Sequence, residues 1–436
     1  MACPAWQPAI GDAQTVASAR AVSVEVLSRL RDPAVVEGAA RTAPLQGRPR
    51  WTPHSTAQGT SGLALAFGHL DRCLPGRGWD LVAHHHLSRA VDGTASNPVG
   101  TLGLFSGLAG VAFTTSYLAR GGQRYRTLLG DIDDSLYTRI PRRLPAVTGE
   151  GLAVGTFDLV SGWTGVAAYL HSRPTGPARD HALRTVLAWL VDLSRAVDGV
   201  PAWHTPHALI TDQSMRDRYR TAVANCGLAH GITGPLAMLA LAHADGPIDA
   251  GHTEAIRRTA SWLASHQVDD ARGGAYPAVV PLGEDSPAEL SAARDAWCYG
   301  SPGVARALWL AGTALGDPDL TRTAVAAMRA VLRRPVARRR IDSPGFCHGI
   351  AGLLQVTLRF AVDTGDEEIS YGARRLVDQL LGEYQPQTTF GYRSVEPDGT
   401  REDRSGLLEG AAGVALTLLA AATLEPPAWD RFFLLS

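Results

Sequence analysis

AWCYGSPGVARAL, residues 296–308, holds the pattern on which the reading of this chain turns. Gly300 and Gly303 are separated by two residues, and a run of small and apolar residues follows at once. The arrangement recurs at Gly59 and Gly62 (GTSGLALAF), Gly107 and Gly110 (GLAGVAF), Gly162 and Gly165 (GWTGVAAYL), and Gly231 and Gly234 (GITGPLAML). It returns at Gly349 and Gly352 (GIAGLLQVTL) and at Gly410 and Gly413 (GAAGVALTLL), which makes seven copies of one internal repeat.

Each glycine pair is followed by roughly ten residues of Ala, Leu, Val and Phe without turn formers, which predicts a helix apolar most of the way round and therefore buried. Glycine in the first turn lets neighbouring backbones crowd that end. Between copies lie amphipathic stretches, such as ALRTVLAWLVDLSRAV (182–197), EAIRRTASWLASHQ (254–267) and residues 367–384, with apolar residues at i, i+3 and i+4. These predict outer helices.

Successive pairs are 48 (Gly59 to Gly107) to 69 residues apart (Gly162 to Gly231), too long and irregular for tetratricopeptide or HEAT arrays. The interval fits an inner helix, an outer helix and long loops. Seven buried helices around one axis, all starting at the same end, predict an all-α fold, an α/α toroid. Residues 51–436 then form one domain, and residues 1–50 are expected to be an N-terminal capping segment.

Composition narrows the function. Hydrophobic residues make up 45% of the chain and the net charge is -1, so no strong field draws it to nucleic acid or to an anionic membrane. The opening MACPAWQPAIGDAQ has no basic stretch followed by an apolar core, and no apolar run approaches the roughly 20 residues that cross a bilayer. A cytoplasmic protein without membrane insertion is expected. Five cysteines are few and odd in number, which suits reduced thiols better than a disulfide framework. Cys3, Cys73 and Cys226 are read as structural or incidental.

Polar residues gain meaning from their offset to the first glycine of their own repeat. His230, His348 and Tyr299 each stand one residue before it, Cys298 and Cys347 two before, Asp158 four before and Arg294 six before. A shared register should gather them at one rim of the toroid, on the side formed by the third to sixth repeats. Cys298, Cys347 and His348 offer two thiolates and one imidazole, a zinc donor set whose three members leave a fourth position open, as in catalytic sites. Cys298 and Cys347 are 49 residues apart, unlike the ligands of a zinc finger, so it is the register that brings them together.

One zinc ion there would deprotonate a substrate thiol and so generate a nucleophile. His230, Asp158, Tyr299 and Arg294 are candidates to manage protons and developing charge, with the carboxylate orienting the imidazole. Taken singly, His230 also fits a histidine bonded to backbone at a helix start, and Asp158 an ordinary cap. Arg294 and Tyr299 fit packing around the metal equally well.

At these residues the chain resembles a known family. AHGITGP, WCYGSPG and FCHGIAG, with FDLVSGWTGV upstream and SGLLEGAAGV near the C-terminus, look like the motifs of the lanthionine synthetase C family, the lantibiotic cyclases. The resemblance covers nearly the whole chain. PAWHTP, SGLALAFGHLDRCLPGRGWD and the ending RFFLLS are closer to stand-alone cyclases than to the cyclase domains of bifunctional synthetases.

The resemblance implies an α/α toroid with zinc in its central cavity. It implies Michael-type addition of cysteine thiols in a dehydrated precursor peptide to dehydroalanine or dehydrobutyrine, giving lanthionine and methyllanthionine rings. Carried over by motif, the zinc ligands are Cys298, Cys347 and His348. The acid/base histidine is His230, with Asp158, Arg294 and Tyr299 as the other catalytic residues. It adds a dehydratase and a transporter as candidate partners. Cys226 departs from the pattern, standing where an apolar residue is expected.

Weaker signals are read conservatively. The His84, His85 and His86 triplet is expected on a solvated or partly packed helix face, not at a second metal. RRPVARRR (333–340) is the one concentrated basic run, expected as a solvated loop, with a grip on an acidic leader peptide or a dehydratase as the alternative. His204 and His207 fit either a peptide channel or loop packing. Two rival functions are weighed: a zinc-dependent thiol prenyltransferase of the toroid class, which takes a mixed Asp, Cys and His ligand set, and a silent scaffold that binds a modified peptide.

Overall fold

The computed structural model describes residues 5–42, 51–96, 101–246, 249–270, 272–283, 290–396 and 399–436. Cys3 and residues 43–50 of the expected cap lie outside them. Each glycine pair opens an inner helix: Thr60–Cys73, Leu108–Leu118, Trp163–Ser172, Thr233–Ala244, Ser301–Leu315, Ile350–Thr364 and Ala411–Ala422. Ala411–Ala422 is buried at every position, and Thr60–Cys73 from Thr60 through Asp71. The outer helices differ as their sequences require. In Glu367–Gly382 the buried set is Ile369, Gly372, Ala373, Leu376, Val377 and Leu380, one apolar stripe.

The glycine pair has a structural cause that recurs from repeat to repeat. The amide just after the first glycine donates to the carbonyl seven residues earlier, as in Thr60 to Pro53 (2.9 Å), Ile232 to Asn225 (3.0 Å), Ile350 to Ser343 (2.9 Å) and Ala411 to Arg404 (2.9 Å). The preceding loop is thereby folded over the helix start. A Cβ on the second glycine would strike the carbonyl six residues back, at 2.1 Å for Gly62, 2.2 Å for Gly165, 2.3 Å for Gly303 and 2.1 Å for Gly413. Real side chains do not tolerate such approaches, so glycine is required there.

The described residues form two compact units. In the one composed of residues 1–101, 105–129 and 340–430, the sixth inner helix packs on the seventh, the seventh on the first, and the first on the second. Helix Ala13–Arg29 occupies the outer position against the seventh inner helix. Beside it Trp6 Nε1 donates to the Ala420 carbonyl (3.0 Å) and Arg20 Nε to that of Ala422 (3.0 Å). The second unit, residues 102–104, 130–339 and 431–436, packs the third inner helix on the fourth and the fourth on the fifth. Its C-terminal segment is tied in by Trp297 Nε1 to the Phe433 carbonyl (3.1 Å) and Arg306 Nε to that of Leu435 (2.9 Å).

The long connections of the second unit carry short strands that helical periodicity does not reveal. Thr205–Pro206, Ala222–Asn225 and Val279–Leu282 form an antiparallel sheet with Thr205 opposite Val223 and Asn225 opposite Val279. The middle strand ends at Asn225, one residue before the loop of the fourth inner helix. Among the described residues no helix is long and apolar enough to cross a membrane.

Candidate functional site

The loops ahead of the third, fourth and fifth inner helices are joined edge to edge by their backbones. The Leu159 amide donates to the Ala229 carbonyl (3.1 Å), and the Ala229 amide donates to that of Cys298 (3.2 Å). Residues just before each glycine pair are therefore neighbours in space although about 70 positions apart in sequence. Gly227 belongs to the same seam: a Cβ there would lie 2.7 Å from the Cys298 carbonyl and 2.8 Å from the Tyr299 ring.

Asp158 is buried, and its two oxygens are fully used. Oδ1 accepts from the amides of Ser161 (2.7 Å) and Gly162 (2.8 Å), closing the turn into the third inner helix, while Oδ2 lies 2.6 Å from His230 Nδ1. Cap and orienting carboxylate are thus one residue. An acceptor-only carboxylate requires Nδ1 to carry the proton, so in the neutral ring Nε2 holds the lone pair. The His230 side chain is 38% exposed, against 2% for Asp158, which leaves the imidazole open to an incoming group while its anchor stays dry.

Tyr299 stands beside it with ring centroids 6.1 Å apart. Its hydroxyl is 3.0 Å from Asn225 Nδ2, a residue the sequence reading passed over. The signal was available: Asn225 precedes Gly231 by six positions, the offset that singled out Arg294 before Gly300. Arg294 itself is exposed, without a side-chain hydrogen bond or ion pair to another described residue. Its carbonyl would be 1.8 Å from a Cβ on Gly300, whose φ of 97° is open to glycine and strained for other residues.

Cys298 is 5% exposed, and Cys347 and His348 are half-buried. The Cys347 amide donates to the Leu408 carbonyl (2.8 Å), as does that of Phe346 (3.0 Å). Cys298 stands in the loop ahead of the fifth inner helix, in the second unit, and Cys347 and His348 stand in the loop ahead of the sixth, in the first. Cys226 is a different kind of thiol. Fully buried, with Sγ 3.7 Å from the Ala224 carbonyl, it is pushed up to about 12 by desolvation and stays protonated at neutral pH.

The remaining candidates resolve into packing. His86 is fully buried, stacked on Phe67 (5.2 Å) and 3.0 Å from the Leu30 carbonyl, and His84 Nδ1 meets the Tyr125 hydroxyl at 3.0 Å. His204 Nδ1 lies 2.7 Å from the Pro201 carbonyl and His207 Nε2 3.2 Å from that of Arg216. The basic run is not simply solvated. Arg334, 5% exposed, reaches Asp270 and Asp295 at 2.7 Å each, and Arg339 donates to the Leu332 carbonyl (2.8 Å). Only Arg333, Arg338 and Arg340 of its arginines face solvent. Burial holds the Asp295 carboxyl up at about 6, against the pull of Arg334 and Arg339.

Comparison with known proteins agrees with this geometry. Residues 50–434 match the family described as lanthionine synthetase C-like protein. The nisin biosynthesis protein NisC of Lactococcus lactis subsp. lactis is 23% identical over 319 residues, 72% of each chain. The solved structure of nisin cyclase superposes with a TM-score of 0.77 at 19% identity, covering 94% of this chain and 96% of that one. The all-α toroid class is thereby shared.

Proposed function

The chain belongs to the lanthionine synthetase C-like family, and we propose that it is a zinc-dependent lanthipeptide cyclase. Its substrate is a precursor peptide already dehydrated at serines and threonines. Cysteine thiols of that peptide add to dehydroalanine or dehydrobutyrine, forming the thioethers of lanthionine and methyllanthionine. The observation that carries the reading is the family match over residues 50–434, joined to the shared register that sets Cys298, Cys347 and His348 one or two residues before their glycine pairs.

The donor chemistry fits zinc. Two thiolates and one imidazole are soft and borderline donors of the kind that zinc takes. Cys298, Cys347 and His348 would hold the ion and leave it open to a substrate thiol. A bound zinc ion would supply the Lewis acidity that turns that thiol into a thiolate at neutral pH.

The protein's own residues do the rest. Nε2 of His230 carries the proton that the α-carbon needs once the sulfur–carbon bond has formed, and Asp158 fixes the ring and stabilises its protonated form. Tyr299 and Arg294 supply hydrogen-bond donors and charge for the carbonyl oxygen that becomes enolate-like. Inner-helix N-termini at this rim add favourable potential for negative charge.

We read residues 51–436 as one catalytic domain. Two cysteine ligands must stay reduced, which supports a cytoplasmic setting, with a dehydratase and a transporter as partners. The test is to purify the protein, measure its metal, and count free thiols by alkylation after incubation with a dehydrated precursor peptide. One zinc per chain and progressive thiol loss are expected. Full thiol retention with zinc bound would overturn the assignment.

A further inference from the structure

Asn225 is 2% exposed, at the end of a strand, and its side-chain amide faces two groups. Oδ1 accepts from the Gly227 amide at 3.0 Å, and Nδ2 lies 3.0 Å from the Tyr299 hydroxyl. A backbone amide can only donate, so the first bond fixes which end of the Asn225 amide is oxygen. The second end is then a donor. The Tyr299 oxygen must accept there, and its own proton must be given in another direction.

The tyrosine ring is held as firmly as its oxygen. It packs on Gly227, where a Cβ would lie 2.8 Å from both Cδ1 and Cε1, so the ring has the close approach that only glycine permits. The two rings facing each other at 6.1 Å are thus pinned from behind in the same way. Asp158 binds its own turn's amides and His230 Nδ1, and Asn225 binds its own turn's amide and Tyr299. The first arrangement aims an acceptor forward; the second aims a donor.

We propose that Asn225 is a positioning residue that fixes the Tyr299 hydroxyl as a hydrogen-bond donor to the substrate carbonyl during thioether formation. This rests on the cyclase reading above. As the sulfur–β-carbon bond forms, the π pair of the Cα–Cβ double bond shifts through the carbonyl carbon to its oxygen. The developing enolate oxygen accepts the Tyr299 hydrogen bond until the α-carbon is protonated. The proton lost by the thiol is balanced by the one gained at the α-carbon, so no oxidant or reductant enters. The bond strengthens only as charge develops, so it lowers the barrier without tightening substrate binding.

Asn225→Asp tests this directly. The carboxylate still accepts from Gly227 but presents an acceptor to Tyr299, whose hydroxyl turns to donate to it and away from the substrate. Single-turnover cyclisation of a dehydrated precursor peptide is expected to slow about 100-fold, the scale for one lost oxyanion donor, with KM little changed and zinc content intact. Tyr299→Phe should lose the same factor, and Asn225→Asp with Tyr299→Phe should be no slower than either alone.

Asn225→Ala, read in the same cycle, covers the case in which the buried carboxylate prevents folding. Wild-type turnover in the Asn225 variants, or losses that multiply with Tyr299→Phe, would overturn the proposal. A wild-type protein that binds zinc yet closes no ring would instead overturn the cyclase reading.

Discussion

Asp158→Asn is the sharpest test of the proton-handling pair, because it changes one atom and leaves the turn intact. The carbonyl oxygen of the introduced amide can still accept from Ser161 and Gly162, at 2.7 and 2.8 Å in the wild type, so its NH2 must face His230 at the position now held by Oδ2, 2.6 Å from Nδ1. A donor there forces Nδ1 to accept, and the ring's proton moves to Nε2. The imidazole then has no lone pair toward the substrate, and its protonated form loses its anion. A hydrogen bond to a charged group contributes about 1.5–3 kcal/mol, or roughly 10- to 150-fold in rate at about 1.4 kcal/mol per decade. The inverted tautomer adds to that; in Ser-His-Asp enzymes the equivalent swap costs about 10⁴ in kcat. A loss between about 10² and 10⁴ in single-turnover ring closure is expected, with zinc content and helical circular dichroism unchanged. An Asp158→Asn enzyme cyclising at the wild-type rate would refute the assigned roles of both residues.

Other expectations follow from the same geometry. Cys347→Ala should lose zinc, measured by metal analysis, while the helical spectrum persists, because the inner helices bury their own apolar surface; collapse of the fold would mean a structural metal. Arg334→Ala removes the one arginine that hydrogen-bonds the buried Asp295 carboxylate, leaving only the more distant Arg339 charge, and should destabilise by about 3–5 kcal/mol in urea denaturation, whereas the exposed Arg338→Ala should stay within about 0.5 kcal/mol. His69 is fully buried and held down at about 3, by desolvation first and the Arg72 charge second, with Tyr117 and Cys73 as its polar neighbours. An unfolded chain takes up that proton near 6.5 but the folded one refuses it until about 3, so His69 makes stability fall as pH drops through this window, by about 1.4 kcal/mol per unit and about 5 kcal/mol in all. With zinc chelated, His69→Gln should flatten the pH dependence of unfolding between about pH 6 and 4 by about one proton, and an unchanged slope would exclude His69 as its source.

What the sequence discloses follows from which features have a local cause. The seven inner helices are legible because a helix buried all round must be apolar all round, and because the second glycine answers a carbonyl pressing on it within a single loop. The register of His230, Asp158 and Tyr299 is legible for the same reason, since every loop is the same fold-back over a helix start. The short sheet is not, because Thr205–Pro206, Ala222–Asn225 and Val279–Leu282 are too brief for periodicity and find their partners far along the chain, Ala222 opposite Leu282 and Val223 opposite Pro281. Nor is the fate of RRPVARRR: nothing within it says that Arg334 will meet Asp270 and Asp295, 64 and 39 positions earlier.

Asn225 shows where the boundary lies. Its offset of six from Gly231 was as visible as that of Arg294 from Gly300, yet arginine was selected and asparagine was not, because a charge advertises chemistry and an amide does not. In the fold the order reverses. Arg294 is exposed with no described partner for its side chain, while Asn225 is buried with both ends of its amide engaged. A buried amide satisfied at both ends has its orientation determined, and it imposes that orientation on whatever it touches. Register in the repeat locates candidates for this site; burial and hydrogen-bond polarity decide which of them can direct a proton.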